Sequence, residues 1–214
     1  MKDEILQKSL KLFLKHGIRK MSNQKLVEWL GISTKTVYKH FKNREELLEH
    51  VLHLYHKEQY KMLVTLSAEQ NAACLFFDVW QIAVETECKI NKVFYDDLHY
   101  YYPELEKKVE KAIGKKFEQF FLSIIQKGIA QGCFRKEIPP EVALRSVLVL
   151  HRASVRAEHF KKFRLSANDL LLHTTVVYIR GLCTNEGIQA LDEHIKNGQP
   201  GRSAVMAKKT AAKI

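Results

Sequence analysis

The stretch from Ser22 to Arg44 constrains this chain most, because two short apolar periodicities meet there across a single glycine. In NQKLVEWL, Leu26, Val27 and Leu30 recur at i, i+1 and i+4, which is one face of a short helix. In TKTVYKHF, Val37 and Phe41 repeat the i, i+4 spacing. Gly31 between them accepts a positive φ at no steric cost, so one helix can stop and another start within a few residues. Ser33 can cap the second helix by accepting from the amide of Lys35 or Thr36, and Ile32 can staple onto Val37. The pattern predicts a helix-turn-helix whose second helix starts at Thr34. Thr34 and Lys35 point away from the Val37/Phe41 face, and Tyr38 lies one turn on from Thr34. Hydroxyl, lysine, phenol and helix amides suit the phosphates and base edges of a DNA major groove. A helical hairpin with a solvated polar face would show the same spacing.

Charge separates these possibilities by where it sits. The formal net charge is +11. Residues 1–48 hold 11 Lys/Arg against 5 Asp/Glu, and residues 197–214 hold four basic residues and no acid. Residues 49–196 hold 20 against 19, so basic ends flank a balanced body, as expected of a nucleic-acid-binding head on a body with another task.

The rest of the chain reads as all-α, since only 9 Gly and 4 Pro punctuate it. Residues 2–16 form an amphipathic helix ended by Gly17, completing a three-helix head in which Trp29 can either cap the small core or face the body. Asn43 with Glu46 reads as a capping box opening a helix to about Leu66. Leu75, Phe76, Val79, Ile82, Ala83 and Thr86 form a helical stripe, and 91–102 reads as one short, irregular helix. Pro103 opens a long helix to Gly132, and Pro139-Pro140 another to about Phe160. Ser166 and Asp169 start one last long helix, inside which Gly181 predicts a close approach by a neighbouring helix. The boundaries are 1–46 for the head, 47–196 for a helical body, and 197–214 for a disordered basic tail.

Other chemistries find little footing. Cys74, Cys88, Cys133 and Cys183 show no C-x-x-C spacing and read as reduced thiols in a cytoplasmic protein. No apolar run approaches a membrane span, and no leader precedes the first helix. His50, His53 and His56 drift round their helix and are read as a solvated face, not a metal site. The motifs of hydrolases, dinucleotide-binding proteins, P-loop proteins and zinc proteases are absent. Asp96-Asp97 with His99 is the one compact acid/base cluster, and Asp97 and His99 leave a helix about 200° apart. No catalytic residue and no cofactor are expected. A chromosome-coating protein that binds DNA without sequence preference, using the head and the basic tail, is the alternative.

The order Leu12-Phe13, Gly17, Ser22, Leu26-Val27, Leu30-Gly31-Ile32-Ser33, Val37-Tyr38-Lys39-His40-Phe41, Arg44 and Leu47-Leu48 resembles the head of the TetR family of bacterial transcriptional regulators. Tyr102-Pro103-Glu104-Leu105, GIAQGCFR at 128–135 and Arg180-Gly181 are similar in the body. The resemblance implies base-edge contacts from Gln24, Thr34, Lys35 and Tyr38, and phosphate contacts from Thr36, Lys39, His40 and Arg44. Lys35 stands where the family commonly has Gly or Pro, and so adds a donor of this chain's own. The resemblance also implies a homodimer formed through about 140–160 and 166–186, a palindromic operator, and a small-molecule effector bound in the body. Phe76, Trp80, Tyr95 and Phe121 are the candidate aromatic lining, against the reading that such a set is ordinary core.

Overall fold

Polar caps open most of the helices. Ser22, Ser33, Asn71, Asn91, Ser166 and Thr184 each accept a hydrogen bond from an amide two or three residues on. The computed structural model describes residues 1–66, 70–155 and 158–197. Its helices are α1 (Lys2–His16), α2 (Asn23–Leu30), α3 (Thr34–Tyr38), α4 (Arg44–Val64), α5 (Ala72–Glu87), α6 (Lys92–Tyr101), α7 (Pro103–Ala130), α8 (Pro140–Val155), α9 (Ala167–His173), α10 (Thr175–Leu182) and α11 (Asn185–Lys196). A 3₁₀ turn spans Glu158–Phe163, and a single antiparallel bridge joins Phe134 to Cys183. The expected all-α class holds.

The chain divides by packing into residues 1–61 with 89–116, and residues 62–88 with the described part of 117–214. The first unit therefore extends past the sequence-based boundary at residue 46, which falls inside α4. Its core joins Phe13, Leu26, Leu30, Val37, Phe41, Leu47 and Leu48 to Phe94 and Leu98 of α6. The end of α1 is clasped by α6: the Asn91 amide donates to Leu14 O at 3.0 Å, and the Arg19 amide donates to Asp97 Oδ2 at 2.8 Å. Gly17, at φ 84°, sits where a Cβ would stand 2.7 Å from Val93 Cγ1, so the turn needs glycine twice over.

In the second unit α5 is buried nearly all round, from Ala72 to Gln81 without a break. The expected one-sided stripe is thus a central helix, packed against α8, α9, α10 and α11. The last long helix expected from Ser166 is broken at Thr174 (φ −123°, ψ −81°), whose hydroxyl donates to Leu170 O at 2.5 Å. α11 was not expected at all. Its signal is present as Ile188, Leu191 and Ile195 at i, i+3 and i+7 behind the Thr184 cap. The helix from Pro139-Pro140 ends at Val155, short of Phe160.

Gly181 meets nothing within 4 Å of an added Cβ, so no neighbouring helix approaches it among the described residues. The close approaches are elsewhere: a Cβ on Gly128 would collide with the Phe134 ring, and one on Gly187 with Cys133 O. These two glycines let the 131–138 turn lie against the start of α11. Arg135 N donates to Leu182 O at 2.9 Å there, and Thr184 N donates to Cys133 O at 3.1 Å.

Candidate functional site

Gly31 ends α2 in the left-handed region (φ 68°, ψ 30°), and Ser33 Oγ accepts from Thr36 N at 3.1 Å, so the predicted turn chemistry is realised. Val37 and Phe41, each 2% exposed, anchor the second helix in the head core. α3 itself is shorter than TKTVYKHF. It closes at Tyr38, and the His40 and Phe41 amides both donate to Val37 O as the chain turns Phe41 inward.

The eight residues expected to meet DNA fall into two groups. Gln24, Thr34, Lys35 and Lys39 are exposed and Tyr38 and His40 half-buried, and no side-chain hydrogen bond, ion pair or ring contact engages any of the six among the described residues. Thr36 and Arg44 are engaged. The Thr36 hydroxyl lies 2.9 Å from Ser33 Oγ and belongs to the cap. Arg44 Nη2 donates to Ile18 O at 2.6 Å and Met21 O at 2.5 Å, while Nη1 donates to Asn23 Oδ1 at 2.9 Å. Its guanidinium also lies 5.6 Å from the centre of the Phe13 ring. A guanidinium has five N–H donors, so at most two remain for a phosphate. The first role of Arg44 is to bind the α1–α2 connection to the start of α4. Beside it lies a cleft of about 250 Å³ lined by Arg19, Ser22, Asn23, Arg44 and Tyr102. Sequence reasoning did not single out Arg19, whose Nη1 donates to Tyr101 Oη at 2.6 Å.

The capping box is shifted by one residue. Asn43 Oδ1 accepts from Glu46 N at 2.9 Å, but the Glu46 carboxylate accepts from the amide of Lys42, not of Asn43. Trp29 is 63% exposed, with its ring 6.0 Å from that of His16. His50 packs edge-on to Phe41 and His56 to Tyr55, so two of the three spaced histidines have aromatic partners. No group of three metal-ligating side chains occurs among the described residues. Asp97 holds the Arg19 amide, whereas His99 faces Glu106 at 3.3 Å, so the acid/base cluster is divided between two tasks.

Three of the four aromatics named for the body come together. Trp80 stacks on Phe121 (5.0 Å, 20°), and Phe76 meets both edge-on at 6.0 and 6.4 Å. Tyr95 is not part of this set. It lies in the first unit, with its hydroxyl 3.2 Å from that of Tyr55, because α6 packs on α1 within the head's unit. The residue the sequence did not bring forward is His151 of α8, 5% exposed, with its ring 4.9 Å from Trp80 and Nε2 3.4 Å from Glu87 Oε1. A lone histidine in an apolar helix gives no signal of its own. On the other side of α5, His194 Nε2 lies 2.7 Å from Asp78 Oδ1. Burial pushes the Cys74 thiol up to about 11 and that of Cys183 up to about 12. Of the four cysteines, all free, Cys88 alone is exposed.

No helix among the described residues is long and apolar enough to cross a membrane. The expected basic tail lies outside the described residues, apart from Asn197. Residues 5–51 match the family model described as bacterial regulatory proteins, tetR family. The HTH-type transcriptional repressor KstR2 of Mycolicibacterium smegmatis is 23% identical over 161 residues, covering 72% of this chain and 78% of that one. A TetR transcription regulator from Haloarcula marismortui shares the fold with a TM-score of 0.71 at 16% identity, over 86% of this chain and 98% of that one. A putative transcriptional regulator from Saccharomonospora viridis, solved in complex with choline, gives 0.63 at 16% identity over the same shares. Residues 5–51 thus match the head of the tetR family, and the helical body behind them shares its fold with the solved regulators.

Proposed function

We propose that this chain is a sequence-specific repressor that binds a palindromic operator as a homodimer and releases it when a small molecule binds the helical body. One observation carries the DNA-binding part. α3 holds Thr34, Lys35 and Tyr38 uncommitted beside two buried anchors, inside the segment that matches the family model. Lys35 donates to guanine O6 or N7, Tyr38 packs on a thymine methyl, and Gln24 of α2 reads an adenine edge. Lys39 and His40 follow the phosphates, with Thr36 and Arg44 contributing there only through what their structural contacts leave over.

Residues 47–196 supply the dimer and the effector site. Val142 and Val149 of α8 are 55% and 62% exposed, Val177 of α10 is 62% exposed, and Gly181 one turn on is open. α8 and α10 pack on each other, so a second copy laid on them buries an apolar strip and completes the approach that Gly181 allows. The repressor KstR2 and the choline-bound regulator support repression and ligand response as the family's mode of action. An effector acts by binding better to the dimer whose heads misfit DNA.

Selection of bound fragments from a sheared genomic library, at two salt concentrations, tests this. Enrichment of one palindromic site is expected. Salt-sensitive binding with no enrichment would favour the chromosome-coating alternative.

A further inference from the structure

In the second unit four buried side chains carry polar atoms with no hydrogen-bond partner among the described residues: Trp80 Nε1, Gln81 Nε2, His151 Nδ1 and Thr175 Oγ1. The four residues are between 0% and 5% exposed. They stand on α5, α8 and α10, three helices that pack on one another. A folded chain pairs nearly all its buried polar groups, because an unpaired donor loses its water and gains nothing in return. Four on three adjoining helices call for a shared reason.

The chemistry of the atoms narrows what would pair them. An indole N–H is a donor only, and so is an amide nitrogen. His151 Nε2 lies 3.4 Å from Glu87 Oε1, and its unpaired Nδ1 can serve as donor or acceptor. A hydroxyl serves either way. For the indole and the amide the missing partner is therefore an acceptor, and the rings of Phe121, stacked on Trp80, and His151, tilted against it, supply apolar faces around the indole. A quaternary ammonium offers no acceptor to these donors.

We propose that Trp80 Nε1–H, with the His151 ring beside it and Gln81 and Thr175 on the same three helices, recognises a carbonyl or carboxylate oxygen on an otherwise apolar molecule. This rests on the reading of the body as an effector site and names the chemistry of the effector. The recognition is separable from the DNA response, and so is its test.

The chain has two tryptophans, so full-length Trp29→Phe leaves Trp80 as the sole indole reporter. Its emission is titrated with decanoate, methyl decanoate and decyltrimethylammonium, and melting is followed alongside. Decanoate and its ester should shift Trp80 emission and raise Tm, with the ammonium at least tenfold weaker. His151→Gln in the same background should lose at least tenfold in decanoate affinity. Equal binding of acid and ammonium, no response to any of the three, or no loss in His151→Gln would overturn the proposal. Thr175→Val keeps the shape and removes the hydroxyl; a Tm unchanged or higher supports an unpaired group, whereas a lower Tm shows that a buried water or a backbone group already satisfies it, and overturns its part. Operator release is measured separately. Acid binding at Trp80 without release would leave this site standing and remove the effector reading, while release by decanoate with no change at Trp80 would do the reverse.

Discussion

The head and the body treat polar side chains in opposite ways. In the head, the groups offered to a partner lie on the surface and rest on satisfied structure: Thr34, Lys35 and Tyr38 sit over Val37 and Phe41, with Ser33 and Arg44 closing the turns. In the body, four polar atoms are buried on α5, α8 and α10 and left unpaired among the described residues, against one, Ser9 Oγ, in the head. A long polyanion would be met at an exposed surface, where water satisfies the waiting groups. A small apolar molecule is enclosed, so the groups that recognise it are dry before it arrives. The contrast predicts that polar substitutions in the head alter binding at little cost in stability, and that some in the body alter both.

The largest expected effect tests the anchors. Phe41→Ala should cost about 3–5 kcal/mol in chemical denaturation and abolish DNA binding, since it empties a fully buried site. Arg44→Met should cost roughly 2–4 kcal/mol by removing two backbone carbonyl contacts and one to Asn23. If it instead weakened DNA binding with stability unchanged, Arg44 would belong with Lys35 and not with the anchors. Lys35→Ala should weaken operator binding by about 1–3 kcal/mol and relax one base position, with melting unchanged. In the body, the raised thiols give a pH dependence of definite sign. The folded state holds Cys74 and Cys183 neutral, whereas the unfolded chain ionises them near the ordinary thiol value. Their contribution is thus complete below about pH 8.5 and declines as pH rises toward 11 to 12. The urea midpoint should fall between pH 8 and pH 10, and less steeply in Cys183→Ala. The smallest effect concerns Gly181→Ala, which should stabilise the isolated chain by about 0.5–1 kcal/mol through helix propensity and yet weaken self-association measured by sedimentation.

The head was legible because its signals are local. Gly31, Ser33 and Asn43 each act within three or four residues, and all three are used as their chemistry suggests. The closing of α3 at Tyr38 was not legible, since it depends on where Phe41 must go. In the body, α5 read as a stripe because six positions, five of them apolar, fit one face, although burial on all sides is decided by four other helices. Gly181 drew attention inside a helical pattern, whereas Gly128 and Gly187, which do meet neighbours, lie against residues distant or hidden in a turn. Tyr95 belonged to the aromatic composition but not to the aromatic cluster. His151 and the break at Thr174 have no periodic signature; both follow from packing.

Specificity itself is the most direct test. Fluorescence anisotropy gives the Kd of the wild type and of Tyr38→Ala for the selected operator and for a scrambled duplex of the same length and salt. A sequence-reading head predicts a wild-type preference of about a thousandfold or more. It also predicts that Tyr38→Ala loses at least tenfold of that preference while scrambled-duplex affinity is unchanged. A preference near one, or an equal loss on both duplexes, would contradict the assignment of α3 as the element that reads DNA.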